Sequence, residues 1–127
     1  MLEQLEPEQR TELAREYYAL HHTALIVSGS TAPSERERTD SFRTCISDDV
    51  EYEEFLKKHG NIEDIFKVYS DDAVLCRIIG DDGSAQRFYE KALSMPGIAP
   101  ADRISIMRFE GKFVLEEDKN EDVSVSE

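Results

Sequence analysis

The chain predicts an all-α domain, a compact bundle of about five to six helices. Three observations carry this expectation. Apolar residues recur at alternating spacings of four and three over 13–27, 62–79 and 85–93, as on one face of a helix. The periodic runs are punctuated by Pro7, Gly29, Gly60, Gly80 and the tripeptide Met95-Pro96-Gly97. A length of 127 residues suits one domain around one hydrophobic core.

The first element is a helix over "PEQRTELAREYYALHHTALIVSGS". Pro7 suits its first turn and Glu8 lies near the positive end of the macrodipole. Leu13, Tyr17, Leu20, Ala24 and Val27 draw a stripe of the width expected for packing on a neighbouring helix, and Gly29 ends the run.

Residues 30–34, "STAPS", read as a loop. A helix over about 34–46 follows, apolar only at Phe42, Cys45 and Ile46. Ser47 then offers an N-cap to a separate helix, "DDVEYEEFLKKHG", whose early acids and late lysines complement the dipole. Tyr52, Phe55, Leu56 and His59 share one side of it, and Gly60 closes it.

Asn61 can cap the next segment, "IEDIFKVYSDDAVLCRIIG". One reading splits it into a helix and a strand, since "AVLCRII" is rich in β-branched residues. The other runs one helix from 62 to 79, with Ile62, Phe66, Tyr69, Ala73 and Cys76 on one stripe and Ile65, Val68, Leu75 and Ile79 on the next. Two stripes in register across the supposed break favour the single helix, with Asp72 as the interruption and Gly80 as the C-cap. The return helix has the clearest pattern: Ala85, Phe88, Tyr89, Ala92 and Leu93. The last element starts at Pro100 and is read as a helix presenting Ile104, Met107, Val114 and Leu115. A hairpin turning at Glu110-Gly111 is the alternative. If 73–79 and 103–115 were both extended, the fold would be α+β with a small sheet. Residues 1–117 are expected to form the domain and 118–127 an acidic, disordered tail.

The stretch from Gly80 resembles the second half of a tetratricopeptide repeat. Gly80, Asp81, Ala85, Tyr89, Ala92 and Leu93 match that motif, with Pro96 one position early. Extended backwards, Tyr69 falls on the family's first aromatic position and Ala73 on its small-residue position. Asp72 stands where the family has leucine, Cys76 replaces an aromatic, and Gly111 is about four residues late for the next repeat. The resemblance covers residues 66–97, a single repeat. It implies a helical hairpin that serves protein–protein interaction.

Apolar residues make up 39% and charged residues 34%, with a net charge of -13 in a 14.5 kDa chain. Such a charge repels phosphate backbones, so no direct nucleic-acid partner is expected and a basic protein surface is. Cys45 and Cys76 belong to no ligand-spaced cluster and read as buried free thiols of a reducing compartment. "MLEQLEPEQR" lacks a signal peptide's apolar run, and "TALIVSG" is too short to span a bilayer. No membrane association and a cytoplasmic location are therefore expected.

Recognisable catalytic chemistry is missing from the sequence. His21 and His22 are adjacent, so on a helix they point about 100 degrees apart and do not share a metal easily. They read as exposed or half-buried side chains. The pairs Asp48-Asp49, Asp71-Asp72 and Asp81-Asp82 lack the ligand alternation of a calcium loop and read as N-caps and turn residues. No catalytic residue, cofactor or metal is predicted. The expected function is an acidic adaptor or regulator that offers a groove between helices to another protein, with Tyr17, Tyr18, Tyr69 and Tyr89 as candidate partner-binding residues. The alternative is an acidic inhibitor that imitates phosphate in the cleft of a nucleic-acid-binding protein.

Overall fold

The computed structural model describes residues 6–111, in which five helices and no strand are found. α1 (Pro7–Ser30) begins at Glu6, whose backbone N–H donates to Gln9 Oε1 at 2.9 Å in a capping box. α2 (Glu35–His59) is capped by Ser34, which accepts from the Glu37 amide. α3 (Ile62–Ile78) is capped by Asn61 and α4 (Asp82–Leu93) by Asp81. α5 covers 100–111. α1 packs on α2, α2 on α3 and α3 on α4, so each of the first four helices lies against its neighbour in sequence.

The segment 73–78 belongs to α3 and 103–111 to α5, so the sheet reading fails over the described residues. Residues 112–117 and the predicted tail lie outside them. α3 ends in a Schellman motif. Asp81 N–H donates to Cys76 O at 2.8 Å and Gly80 N–H to Arg77 O at 3.2 Å, with Gly80 at φ 85°. That left-handed conformation suits glycine, which explains the corner between α3 and α4.

Two expectations need correction. Ser47 caps nothing, because α2 runs unbroken through Asp48-Asp49 for 25 residues. Phe42, Cys45, Asp49, Tyr52 and Leu56 form one continuous buried stripe, in which Asp49 occupies a core position. The stripe expected to bury α1 faces solvent instead: Tyr17 is 64% exposed and Leu20 70%, with Leu13, Ala24 and Val27 also exposed. α1 packs through Tyr18, His22, Leu25 and Gly29. A Cβ on Gly29 would collide with the Phe42 ring, so the two helices approach closely there.

The core has three parts. Phe42, Cys45 and Leu75 gather Leu25, Ile26, Ile46 and Ile79 at one end of the α1–α2–α3 layer. Tyr52, Leu56 and Val68 gather Tyr18, Ala19 and Phe55 at the other. Phe66, Tyr69, Ala92 and Ile106 form the third, joining α3, α4 and α5. The fully buried Ala85 and Ala92 allow α4 to lie close against the core. α5 is held by Glu110, which accepts two hydrogen bonds from Arg77 at 3.1 and 2.8 Å, both side chains being buried.

Candidate functional site

Between the first two parts of the core lies a buried polar cluster. His22 comes from α1, Cys45 and Asp49 from α2 at one-turn spacing, and Asp71 and Asp72 from α3. His22 is 4% exposed, Cys45 0%, Asp49 3% and Asp72 1%. His22 Nδ1 lies 2.8 Å from Asp49 Oδ1, and its Nε2 lies 2.8 Å from Asp71 Oδ2. Cys45 Sγ sits 3.5 Å from His22 Nδ1 and 3.7 Å from Asp49 Oδ2. One donor atom each from His22, Cys45, Asp49 and Asp72 all fall within 4.8 Å of one another.

Burial alone would discharge the imidazole. The Asp49 and Asp71 carboxylates on its two nitrogens outweigh burial and hold its pKa up at about 12, so it is an imidazolium. Asp72 behaves oppositely: burial and the adjacent Asp49 carboxylate push its carboxyl well above the usual range and keep it protonated. Burial also raises the Cys45 thiol. Asp71 resists the effect of its own burial through His22 and through Lys67, whose ammonium is 3.1 Å away. Among the described residues, buried Asp72 Oδ1 has no hydrogen-bond partner. An orphaned buried oxygen of this kind carries a desolvation cost that the apolar clusters must offset.

These positions overturn two readings of the sequence. His22 is neither exposed nor half-buried, and Asp48-Asp49 and Asp71-Asp72 lie inside helices rather than at caps. Only Asp81-Asp82 sits at a helix start, with Asp81 Oδ1 accepting from the Ser84 amide. His21 does stay half-exposed, with its Nε2 2.7 Å from Asp48 Oδ2. The overlooked signal was a polar residue at the same level of three successive inner stripes. These are Tyr18-His22-Leu25-Gly29, Cys45-Asp49-Tyr52-Leu56 and Ile65-Val68-Asp72-Leu75.

The four tyrosines separate. Tyr17 and Tyr18 line one surface depression with Leu13 and Leu20. Tyr17 stacks beside His21, while Tyr18 stacks on Tyr52 and its hydroxyl donates to Glu51 at 3.1 Å. Tyr69 is a core residue whose hydroxyl donates to Glu53 at 2.7 Å, so it is not at the surface. Tyr89 is half-buried against the third part of the core.

The outer face of α1 is the second feature. Its apolar stripe has Glu12 and Glu16 of α1 on one side, Arg10 at its N-terminal end, and on the other side His21 and Tyr18, which pair with Asp48 and Glu51 of α2. Among the described residues no helix is long and apolar enough to cross a membrane. No protein-family model, curated protein or solved structure matches the chain, so the hairpin's likeness to a tetratricopeptide repeat rests on its sequence motif.

Proposed function

We propose that the chain is a protein–protein interaction module whose outer α1 face docks an amphipathic helix of a partner protein, one whose apolar stripe is flanked by lysine and arginine. The observation that carries this reading is the solvent-facing stripe of Leu13, Tyr17, Leu20, Ala24 and Val27. A folded domain gains nothing by leaving five apolar positions of one helix aligned in water, and such alignment marks a binding surface. The stripe runs about 21 Å along α1, enough for a partner helix of about four turns.

Charge names the partner's chemistry. Glu12, Glu16, Asp48 and Glu51 outnumber Arg10 around the stripe, within a chain of net charge -13. A second copy would set acid against acid, whereas basic flanks on a partner helix would complement both edges. The apolar stripe supplies affinity and the acidic edges supply orientation and rate.

Photo-cross-linking in the native cells tests this reading. A Leu20→benzoylphenylalanine variant is expected to capture a helical segment with an apolar stripe and flanking lysines or arginines. The same group placed at Gln86, an exposed position of α4, is expected to capture no such segment. Cross-links from position 20 to a second copy, to nucleic acid or to a segment without basic flanks would contradict it, as would equal yields at both positions.

A further inference from the structure

His22, Cys45, Asp49 and Asp72 bring a nitrogen, a sulfur and carboxylate oxygens together from three helices, buried from solvent. A tetrahedral cation with bonds of about 2.0 to 2.3 Å needs donor atoms roughly 3.3 to 3.8 Å apart. Two edges of that tetrahedron already exist: Nδ1 to Sγ at 3.5 Å and Sγ to Asp49 Oδ2 at 3.7 Å. With all four donors inside 4.8 Å, closing the rest takes movements of about an ångström or less. The outer sphere is present too. Asp71 sits on His22 Nε2 at 2.8 Å, which turns Nδ1 toward the other three donors, and Lys67 steadies Asp71 from outside. A separate observation points the same way: Asp72, almost fully buried, has an oxygen with no hydrogen-bond partner among the described residues.

We propose that His22, Cys45, Asp49 and Asp72 bind one zinc-class divalent cation that staples α1, α2 and α3, with Asp71 orienting His22 as its outer-sphere carboxylate. The donor set selects the metal. Sulfur and imidazole disfavour calcium and magnesium, which take oxygen ligands, and suit zinc or cobalt. Four buried protein ligands leave no open position, so the site is structural rather than catalytic. Because every ligand is buried, the cation enters as α1 closes on α2 and α3, and it displaces the protons of His22 Nδ1, Cys45 Sγ and Asp72 into solvent, so uptake accompanies folding.

The test refolds chelator-treated, reduced full-length chain with one equivalent of zinc or cobalt. Expected are retention of one metal per chain through gel filtration, a raised Tm, and for cobalt the intense visible bands of a tetrahedral site with thiolate-to-cobalt charge transfer. Cys45→Ser is expected to remove the charge-transfer band. Asp72→Asn keeps the size and shape of the side chain, yet it is expected to weaken metal affinity at least about tenfold, the least that disturbing even an outer-sphere partner does. Asp71→Asn is expected to weaken it about 10- to 100-fold. His21→Ala, beside the site but outside it, is expected to change nothing. Failure to retain stoichiometric metal overturns the proposal. So does a cobalt spectrum that survives both Cys45→Ser and Asp72→Asn, or one that His21→Ala abolishes.

Discussion

Replacing His22 with alanine isolates what the buried charges contribute. His22 lies 2.8 Å from both Asp49 and Asp71 and, among the described residues, is the cation they share. Its removal leaves Asp49, 4% exposed at its side chain, without a counter-charge and beside Asp72. Asp71 suffers less, because its side chain is 28% exposed and keeps Lys67 at 3.1 Å. Breaking a buried pair from one side costs about 3–5 kcal/mol. With the Asp71 share discounted, the expected loss for His22→Ala in chelator-treated protein is about 3 kcal/mol. At about 4 °C per kcal/mol for a chain of this length, the Tm falls by roughly 12 °C. The control is the adjacent histidine. His21 pairs with Asp48 at a similar 2.7 Å, but the two side chains are 41% and 43% exposed. His21→Ala is therefore expected to cost under about 0.5 kcal/mol. Urea unfolding followed by circular dichroism reads both variants. A loss below about 1 kcal/mol for His22→Ala, or equal losses for the two histidines, refutes the reasoning that burial rather than distance sets the magnitude.

Other perturbations have equally definite outcomes. Gly29→Ala drives a methyl group into the buried Phe42 ring and is expected to cost about 1–3 kcal/mol in thermal unfolding. Glu110→Ala strips Arg77 of its bidentate partner, and hydrogen exchange is expected to accelerate in 100–111 while α1 and α2 stay protected. Glu53 shows how stability responds to acid. Burial would raise its carboxyl, but the Tyr69 hydroxyl and Lys57 ammonium hold it below the ordinary value. Its contribution is thus complete above the ordinary carboxylate pKa and fades as pH falls through the lowered one. Glu53→Gln is expected to reduce stability at neutral pH and to flatten the acid limb of the profile; an unchanged limb would contradict this.

The helices were legible because their punctuation is chemical. Pro7, Asn61, Gly80 and Asp81 stand where the structure puts a first turn, an N-cap, a left-handed corner and a second N-cap. Two things resisted reading, for one reason. Binary patterning treats an aspartate or histidine as a surface residue. Asp49 therefore split α2 into two expected helices, and His22 left the outer stripe of α1 as the apparent packing face. Pairing across three helices makes those polar residues core residues, and that pairing depends on neighbours far apart in the chain. His22 lies 27 residues from Asp49 and 49 from Asp71. The tyrosines fared unevenly for a related reason. A ring at helical spacing looks the same whether it faces water, as Tyr17 does, or fills the core, as Tyr69 does.

The proposed docking surface is the outer face of α1, and one comparison tests it most directly. The helical segment mapped by cross-linking is titrated against wild type and Leu20→Glu, at low and high salt. Leu20, 70% exposed in the free chain, is expected to contribute about 2 kcal/mol when covered, so the variant binds roughly 30-fold more weakly while folding normally. Salt is expected to weaken wild-type binding by a smaller factor, because apolar contact persists when charges are screened. Binding that high salt abolishes but Leu20→Glu leaves intact would contradict the claim, and would make the acidic surface, rather than the apolar stripe, the means of recognition.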